Sequence, residues 1–335
     1  MSLAPHCLLT GATGFLGGEL FARLERRGAR LHVYVRDAER ARQFAARGAR
    51  VHVGDLRDAA ATRRAMEHCA RESGGEFDVV NNAALISYKR ADRAAQVAIN
   101  LAGTRTMAEE AARLGARRFC HVSSVVAVGS SEDGRPIDEA ARWNLAPCRV
   151  DYADTKRAAE ELVLGQSSRL DCVAANPGAI FGAKGAGSNT ARFLARVARR
   201  GAPPLAPPGW LAVVGVEDAA EGVLLALERG RRGERYLLVE SNWRTRDLFA
   251  LAARLSGRRE PMGTLPAWLL PPVAALARAV EPLWASDLVP PQALTMLGRR
   301  LVFDASKARR ELGWAPEPFE DVLRRSLAAA LESGA

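Results

Sequence analysis

The sequence predicts a doubly wound α/β chain: a mostly parallel sheet with helices on both faces and a smaller C-terminal lobe. Three observations predict it. Short apolar runs alternate with helix-period segments through the first half, the pattern of parallel strands joined by right-handed crossovers. The runs are apolar on both faces, as a sheet covered from both sides requires. A glycine-rich turn joins the first run to the first helical segment.

In chain order, strands are expected at 7–9, 31–35, 50–53, 78–80, 119–122 and 171–175. Helices are expected between them at 15–27, 38–46, 59–70, 91–114 and 153–164. After Asn176 the pattern changes. A Gly/Ala-rich loop over 178–187 leads to a helix near 190–199, and the run Ala202-Pro203-Pro204-Leu205-Ala206-Pro207-Pro208-Gly209 reads as a loop. Residues 213–216 read as a strand, 217–229 as a helix, and 235–239 as a strand. Thr245 is expected to cap a helix to about 256, and a last helix runs near 320–331. The division is a dinucleotide-binding domain over 1–176, with 210–245 returning twice to its sheet, and a substrate lobe from 177–209 and 246–335.

The composition excludes several classes. At 48% apolar and 26% charged the chain reads as globular. The net charge of +10 comes almost entirely from Arg scattered over helical patterns, with no basic stripe interleaved with aromatics, so nucleic acid is not an expected partner. Cys7, Cys69, Cys120, Cys148 and Cys172 are odd in number and lack a C-x-x-C pair, which implies a reducing, cytoplasmic setting. His6, His32, His52, His68 and His121 show no metal-ligand spacing, so no metal is expected; His6, His32, His52 and His121, in or beside strands, read as structural. A strand begins within about six residues of Met1, leaving no room for a signal peptide. The apolar segment 261–277 is too short and too interrupted by Pro266, Pro271 and Pro272 to span a bilayer.

The cofactor end is read from the turn Thr10-Gly11-Ala12-Thr13-Gly14-Phe15-Leu16-Gly17. Glycine allows the tight turn and close approach of a pyrophosphate, which rests on the positive helix N-terminus. Strand before and helix after make this a Rossmann-type signal. At the end of the second strand stands Arg36, followed by Asp37. An Arg there faces a 2′-phosphate and an acid faces a ribose hydroxyl, so Arg36, assisted by Arg40, favours NADP, with NAD the alternative if Asp37 turns inward. Asp55-Leu56 and Asn82-Ala83-Ala84 follow the third and fourth strands and complete the groove.

The chemistry end is read from Tyr152-Ala153-Asp154-Thr155-Lys156, which puts Tyr152 and Lys156 on one helical face. A nearby cation is expected to bring the phenol towards working pH for general acid–base catalysis. Ser124, at the end of the fifth strand after Val122-Ser123, stands where a hydroxyl can bind the reacting oxygen.

Together, Gly11-x-x-Gly14-x-x-Gly17, Asp55-Leu56, Asn82-Ala83-Ala84, Asn100-x-x-Gly103-Thr104, Ser123-Ser124 with Gly129, Tyr152-x-x-x-Lys156 and the tail Lys307 to Pro316 resemble the extended short-chain dehydrogenase/reductases, the NAD-dependent epimerase/dehydratase family. Val35-Arg36-Asp37, Asn176-Pro177-Gly178-Ala179-Ile180-Phe181-Gly182 and Gly233-Glu234-Arg235-Tyr236 look most like its dihydroflavonol-4-reductase-like and hopanoid-associated epimerase-like members. The resemblance implies that Ser124 polarises the substrate oxygen and Tyr152 transfers its proton. It implies that Lys156 holds the nicotinamide ribose and lowers the Tyr152 pKa. Asn100, Val122 and Pro177, Gly178, Ala179 and Ile180 would join the cofactor contacts. Asn81-Asn82 departs from relatives, which often carry His or a small residue there.

The substrate pocket is expected from Leu85-Ile86-Ser87-Tyr88, with Ile86 and Tyr88 in contact, from the loop 183–190 with Asn189, and from the apolar segment 265–280. That lining suits an apolar or aromatic ketone or alcohol, as in dihydroflavonol reductases or 3β-hydroxysteroid dehydrogenases. One alternative is a nucleotide-sugar epimerase or dehydratase with tightly held NAD; another is a non-catalytic cofactor sensor. A homodimer through the helices at 91–114 and 153–164 is what relatives suggest.

Overall fold

The computed structural model describes residues 3–183, 188–280 and 291–332, the side chains of 277–280 and 291 excepted. The first half runs β1 (His6–Thr10), α1 (Phe15–Arg26), β2 (Arg30–Val35), α2 (Ala38–Ala45), β3 (Arg50–Val53), α3 (Ala59–Glu72), β4 (Phe77–Asn81), α4 (Arg93–Gln96), α5 (Thr104–Arg113), β5 (Arg118–Val122), α6 (Asp151–Leu164) and β6 (Cys172–Pro177). The rest adds β7 (Ala179–Phe181), α7 (Asn189–Arg200), β8 (Leu205–Ala206), β9 (Trp210–Gly215), α8 (Val216–Arg229), β10 (Arg235–Leu238), β11 (Ser241–Arg244), α9 (Thr245–Leu255), β12 (Gly263–Thr264), α10 (Leu270–Val280), α11 (Pro291–Leu297) and α12 (Phe319–Glu332).

Seven strands form one parallel sheet in the order β10-β6-β5-β4-β1-β2-β3. The order reverses between β1 and β4, and a crevice opens at such a switch point beyond the carboxyl ends of the strands. Each face of the sheet buries an apolar layer. Leu20, Leu24, Val223 and Leu227 of α1 and α8 fill one side; Met66, Met107, Ala111 and Val163 of α3, α5 and α6 fill the other. Local signals set the helix starts: Asp37 caps α2, Asp58 caps α3 and Ser188 caps α7 through backbone N–H groups.

Four expectations need correction. The C-terminal half returns to the main sheet once, through β10; β9 instead lies between β7 and β11 in a separate three-stranded sheet. Gly178 makes this possible, since a Cβ there would sit 2.6 Å from the Ala212 carbonyl oxygen of β9. The helix expected over 91–114 is broken by a π-helical stretch, Val97–Gly103, that joins α4 to α5. Thr245 does not cap α9: it is the first helical residue, and its hydroxyl donates to the Gly209 carbonyl at 2.8 Å. The histidines are not independent. Parallel pairing across β1, β2 and β3 gathers His6, His32 and His52 on one face, where His68 of α3 meets them.

Among the described residues, no helix is long and apolar enough to cross a membrane.

Candidate active site

A cleft of about 1090 Å³ opens over the carboxyl ends of β1, β2, β4 and β5. Its size reaches the upper end of ordinary small-molecule sites, about 300–1,000 Å³. Gly11, Thr13, Gly14, Phe15, Leu16 and Gly17 line it from the first turn; Arg36, Asp55, Leu56, Asn82, Ala83 and Ala84 line it from the next strand ends. Ile86, Tyr88, Val122, Ser124, Tyr152, Lys156, Pro177, Gly178, Ala179, Ile180 and Asn189 complete it.

Two features of the first turn fit a dinucleotide. The N-cap of α1 is Gly14, no side chain bonds to its first N–H groups, and its first turn has no acid, so the positive helix end faces the cleft. The turn also needs bare backbone. Gly11 has φ +71°, and a Cβ on Gly17 would lie 1.9 Å from the Gly11 carbonyl oxygen. Thr10 fixes the opposite wall: its hydroxyl donates to Asn81 Oδ1 at 3.0 Å and accepts from the N–H groups of Asn82 and Ala83 at 3.0 and 2.9 Å. The departure at Asn81-Asn82 is thereby explained. Asn81 is buried and also donates to the Thr104 hydroxyl, while Asn82 donates to the Gly11 carbonyl.

At the far end of the groove, Arg36 and Arg40 line the cleft. Asp37 does not turn inward, because its carboxylate caps α2 by accepting from Glu39 N and Arg40 N at 2.9 and 3.2 Å. Asp55 is bound by Arg57 through both oxygens, which holds its carboxyl below the usual range. Arg47 and Arg192 also reach the cleft, and neither carried a motif in the sequence.

The chemistry end is buried. Tyr152 and Lys156 are 7% and 3% exposed. The Ser124 hydroxyl lies near enough to the Tyr152 hydroxyl to lower its pKa, and Tyr88 packs edge-on to the Tyr152 ring at 6.2 Å. Lys156 Nζ donates to the Val122 carbonyl at 2.7 Å. Behind it, Glu160 accepts from Asn176 Nδ2 and pairs with Arg235 at 3.1 Å, and Asn176 also donates to the Ser124 carbonyl at 3.0 Å. This network ties α6 to the ends of β5 and β6. From the other side, Gln292 of α11 accepts from Asp151 N and donates to its carboxylate, fixing the start of α6.

The electrostatics depart from expectation. Burial pushes the Tyr152 hydroxyl above its ordinary value, Tyr88 adds to the shift, and the Ser124 hydrogen bond only opposes it. Burial brings Lys156 down to about 8 against the pull of Glu160. Desolvation of both groups outweighs any help the cation gives the phenolate.

Two expected parts of the site lie away from the cleft lining among the described residues. Asn100 does not line the cleft. It is buried in the π stretch, where it accepts from Leu85 N at 2.7 Å and donates to Leu85 O and Thr155 Oγ1 at 3.0 and 3.2 Å. None of the described residues of 265–280 lines the cleft either; Trp268 and Leu276 point to solvent, 72% and 66% exposed. Of the loop 183–190, residues 188–190 line the cleft, and 184–187 lie outside the described residues. The apolar wall comes instead from Val126, Leu211 and Leu301, beside Leu85, Ile86 and Ile180.

Residues 7–238 match the NAD dependent epimerase/dehydratase family. The chain belongs to that family. It is an NAD(P)-dependent oxidoreductase of the extended short-chain dehydrogenase/reductase type. Two relatives align over nearly their whole length. One is sterol demethylase protein B of Methylococcus capsulatus, 30% identical, with 92% of this chain and 93% of that protein covered. The other is a 4-hydroxy-2-methyl-3-oxo-4-farnesyl-3,4-dihydroquinoline-1-oxide ketoreductase of Stigmatella aurantiaca, 30% identical, with 92% and 91% covered. Among solved structures, that of gox2253 superposes with a TM-score of 0.84 at 29% identity, over 100% of this chain and 99% of the other.

Proposed function

We propose that this member of the family is an NADP(H)-dependent oxidoreductase that interconverts a ketone and a secondary alcohol on an apolar or aromatic substrate. The observation that carries the reading is the setting of Ser124 and Tyr152. Both residues line the cleft together with Ile86, Val126, Leu211 and Leu301, and the Ser124 hydroxyl lies near enough to that of Tyr152 to lower its pKa. Such a wall desolvates an apolar substrate and leaves few polar groups to orient its one oxygen. The relatives named for a sterol and a farnesyl-quinoline ketone support the same substrate class.

When bound, the nicotinamide supplies or accepts a hydride. Ser124 donates a hydrogen bond to the substrate oxygen, and Tyr152 Oη gives its proton to that oxygen as the carbonyl is reduced. Lys156, aligned by the Val122 carbonyl, holds the nicotinamide ribose hydroxyls. Arg36, with Arg40, binds the 2′-phosphate; the engagement of Asp37 in the α2 cap supports NADP over NAD.

The test is calorimetric binding of NADPH and NADH to the wild type and to Arg36→Ala, followed by NADPH oxidation with apolar ketones. NADPH is expected to bind more tightly, and Arg36→Ala to weaken it selectively by about 1–3 kcal/mol, the range of a charged hydrogen bond. Protein that arrives loaded with NAD and converts a nucleotide sugar would overturn the proposal in favour of an epimerase or dehydratase.

A further inference from the structure

Four of the five histidines, at positions 6, 32, 52 and 68 on β1, β2, β3 and α3, converge on the face of the sheet beneath α3. In the parallel register, Leu8 lies opposite His32 and Tyr34 opposite His52, so His6, His32 and His52 step diagonally across three strands. His6 Nδ1 is 3.1 Å from His32 Nε2, and His32 Nδ1 is 3.2 Å from His52 Nε2. His68 stacks edge-on against His52 at 5.1 Å, and its Nδ1 is buried without a hydrogen-bond partner. One ring nitrogen from each of His32, His52 and His68 lies within 4.8 Å of the others.

We propose that His32, His52 and His68 form a three-imidazole site for a borderline divalent transition-metal ion, Zn²⁺ above all. A tetrahedral Zn²⁺ with Zn–N bonds of about 2.0–2.1 Å sets its ligand nitrogens about 3.3 Å apart. His32 Nδ1 and His52 Nε2, which share a hydrogen bond at 3.2 Å, are already close to that spacing, and the metal would take the place of the shared proton. The second nitrogens of His32 and His68 face groups of the kind that ligating imidazoles use to fix their tautomer. His32 Nε2 faces His6 Nδ1, and Glu72 reaches His32 Nε2 at 3.6 Å and His68 Nε2 at 4.0 Å. Arg50 holds the same carboxylate at 3.2 Å, which keeps Glu72 outside the ligand set. A set of imidazoles without oxygen ligands selects Zn²⁺, Ni²⁺ or Cu²⁺ over Mg²⁺ or Ca²⁺. The site lies behind Tyr34, whose hydroxyl donates to the Asp55 carbonyl at the cleft edge, so the ion braces β2, β3 and α3 rather than meeting the substrate.

The test is titration of the full chain, freed of any affinity tag, with Co²⁺ alone, followed by displacement with Zn²⁺. One equivalent is expected, with the visible bands of tetrahedral cobalt bleached by Zn²⁺. His68→Gln and His52→Gln should each weaken binding at least tenfold. The His68 side chain is 43% exposed, so its replacement leaves the fold intact, which circular dichroism checks. No saturable binding in the wild type, or equal affinity in wild type and His68→Gln, would overturn the proposal.

Discussion

Gly17 and Gly18 are neighbours in the first turn of α1, yet they should respond oppositely to a single methyl group. A Cβ on Gly17 would lie 1.9 Å from the Gly11 carbonyl oxygen, 2.7 Å from its carbon and 2.9 Å from Ala12 Cα, all backbone. No rotamer relieves that overlap; the turn and the helix must separate by more than about 1 Å. Overpacking costs about 1–3 kcal/mol where side chains can yield, and here none can. Gly17→Ala should therefore lie at or above the top of that range. The turn that receives the pyrophosphate absorbs the shift, so NADPH affinity should fall at least about 100-fold, or about 2.8 kcal/mol. A Cβ on Gly18 meets only the Ala12 carbonyl oxygen, at 3.8 Å. Gly18→Ala should stabilise α1 by about 0.5–1 kcal/mol through helix propensity and leave binding near wild type. Thermal melts and NADPH fluorescence titration of the two variants check this. If Gly17→Ala binds and melts like Gly18→Ala, the close turn-to-helix contact is not what the glycine provides.

Tyr152→Phe should abolish turnover while leaving NADPH binding within a few fold, since the ring stays packed on Tyr88; unchanged turnover in a steady-state assay would remove the hydroxyl from the mechanism. Asn100→Ala strips partners from Leu85 N and O and from Thr155, and should destabilise the fold by about 1–3 kcal/mol. Loosening Leu85 and Ile86 should raise KM for the ketone more than it lowers NADPH affinity. A variant with wild-type melting and KM would mean the π stretch holds that loop without Asn100.

The sequence displayed what local chemistry dictates. Strand–helix alternation and the Gly11-x-x-Gly14-x-x-Gly17 turn are short-range patterns, and the parallel sheet follows from them. Position in a sheet is long-range, and there the reading failed. β9 is apolar enough for the main sheet, but β10 already pairs with β6 at its edge, and Gly178 draws β9 against β7. The described residues of the apolar segment 265–280 do not line the cleft, because periodicity gives a face and not the neighbour it meets. The histidines show the same limit. No spacing along the chain announces His32, His52 and His68; only a parallel register two residues out of step brings the first two together.

The charges at the cleft floor bear on direction. Burial moves Tyr152 and Lys156 towards their neutral forms, one upward and one down to about 8. At neutral pH the phenol keeps its proton and most Lys156 is still cationic. A protonated Tyr152 is the form that reduces a ketone; alcohol oxidation needs the phenolate. The dihydronicotinamide ring is uncharged and leaves the phenol protonated, so the reductive rate should stay flat from about pH 6 to 7.5. It should fall as Lys156 loses its charge near pH 8. Oxidation should rise across the same window, because each pH unit gained raises the phenolate fraction tenfold below its pKa. Initial rates in both directions, at saturating cofactor, check this. A reductive rate that already falls steadily between pH 6 and 7 would refute the assignment of Tyr152 as the proton donor in so dry a site.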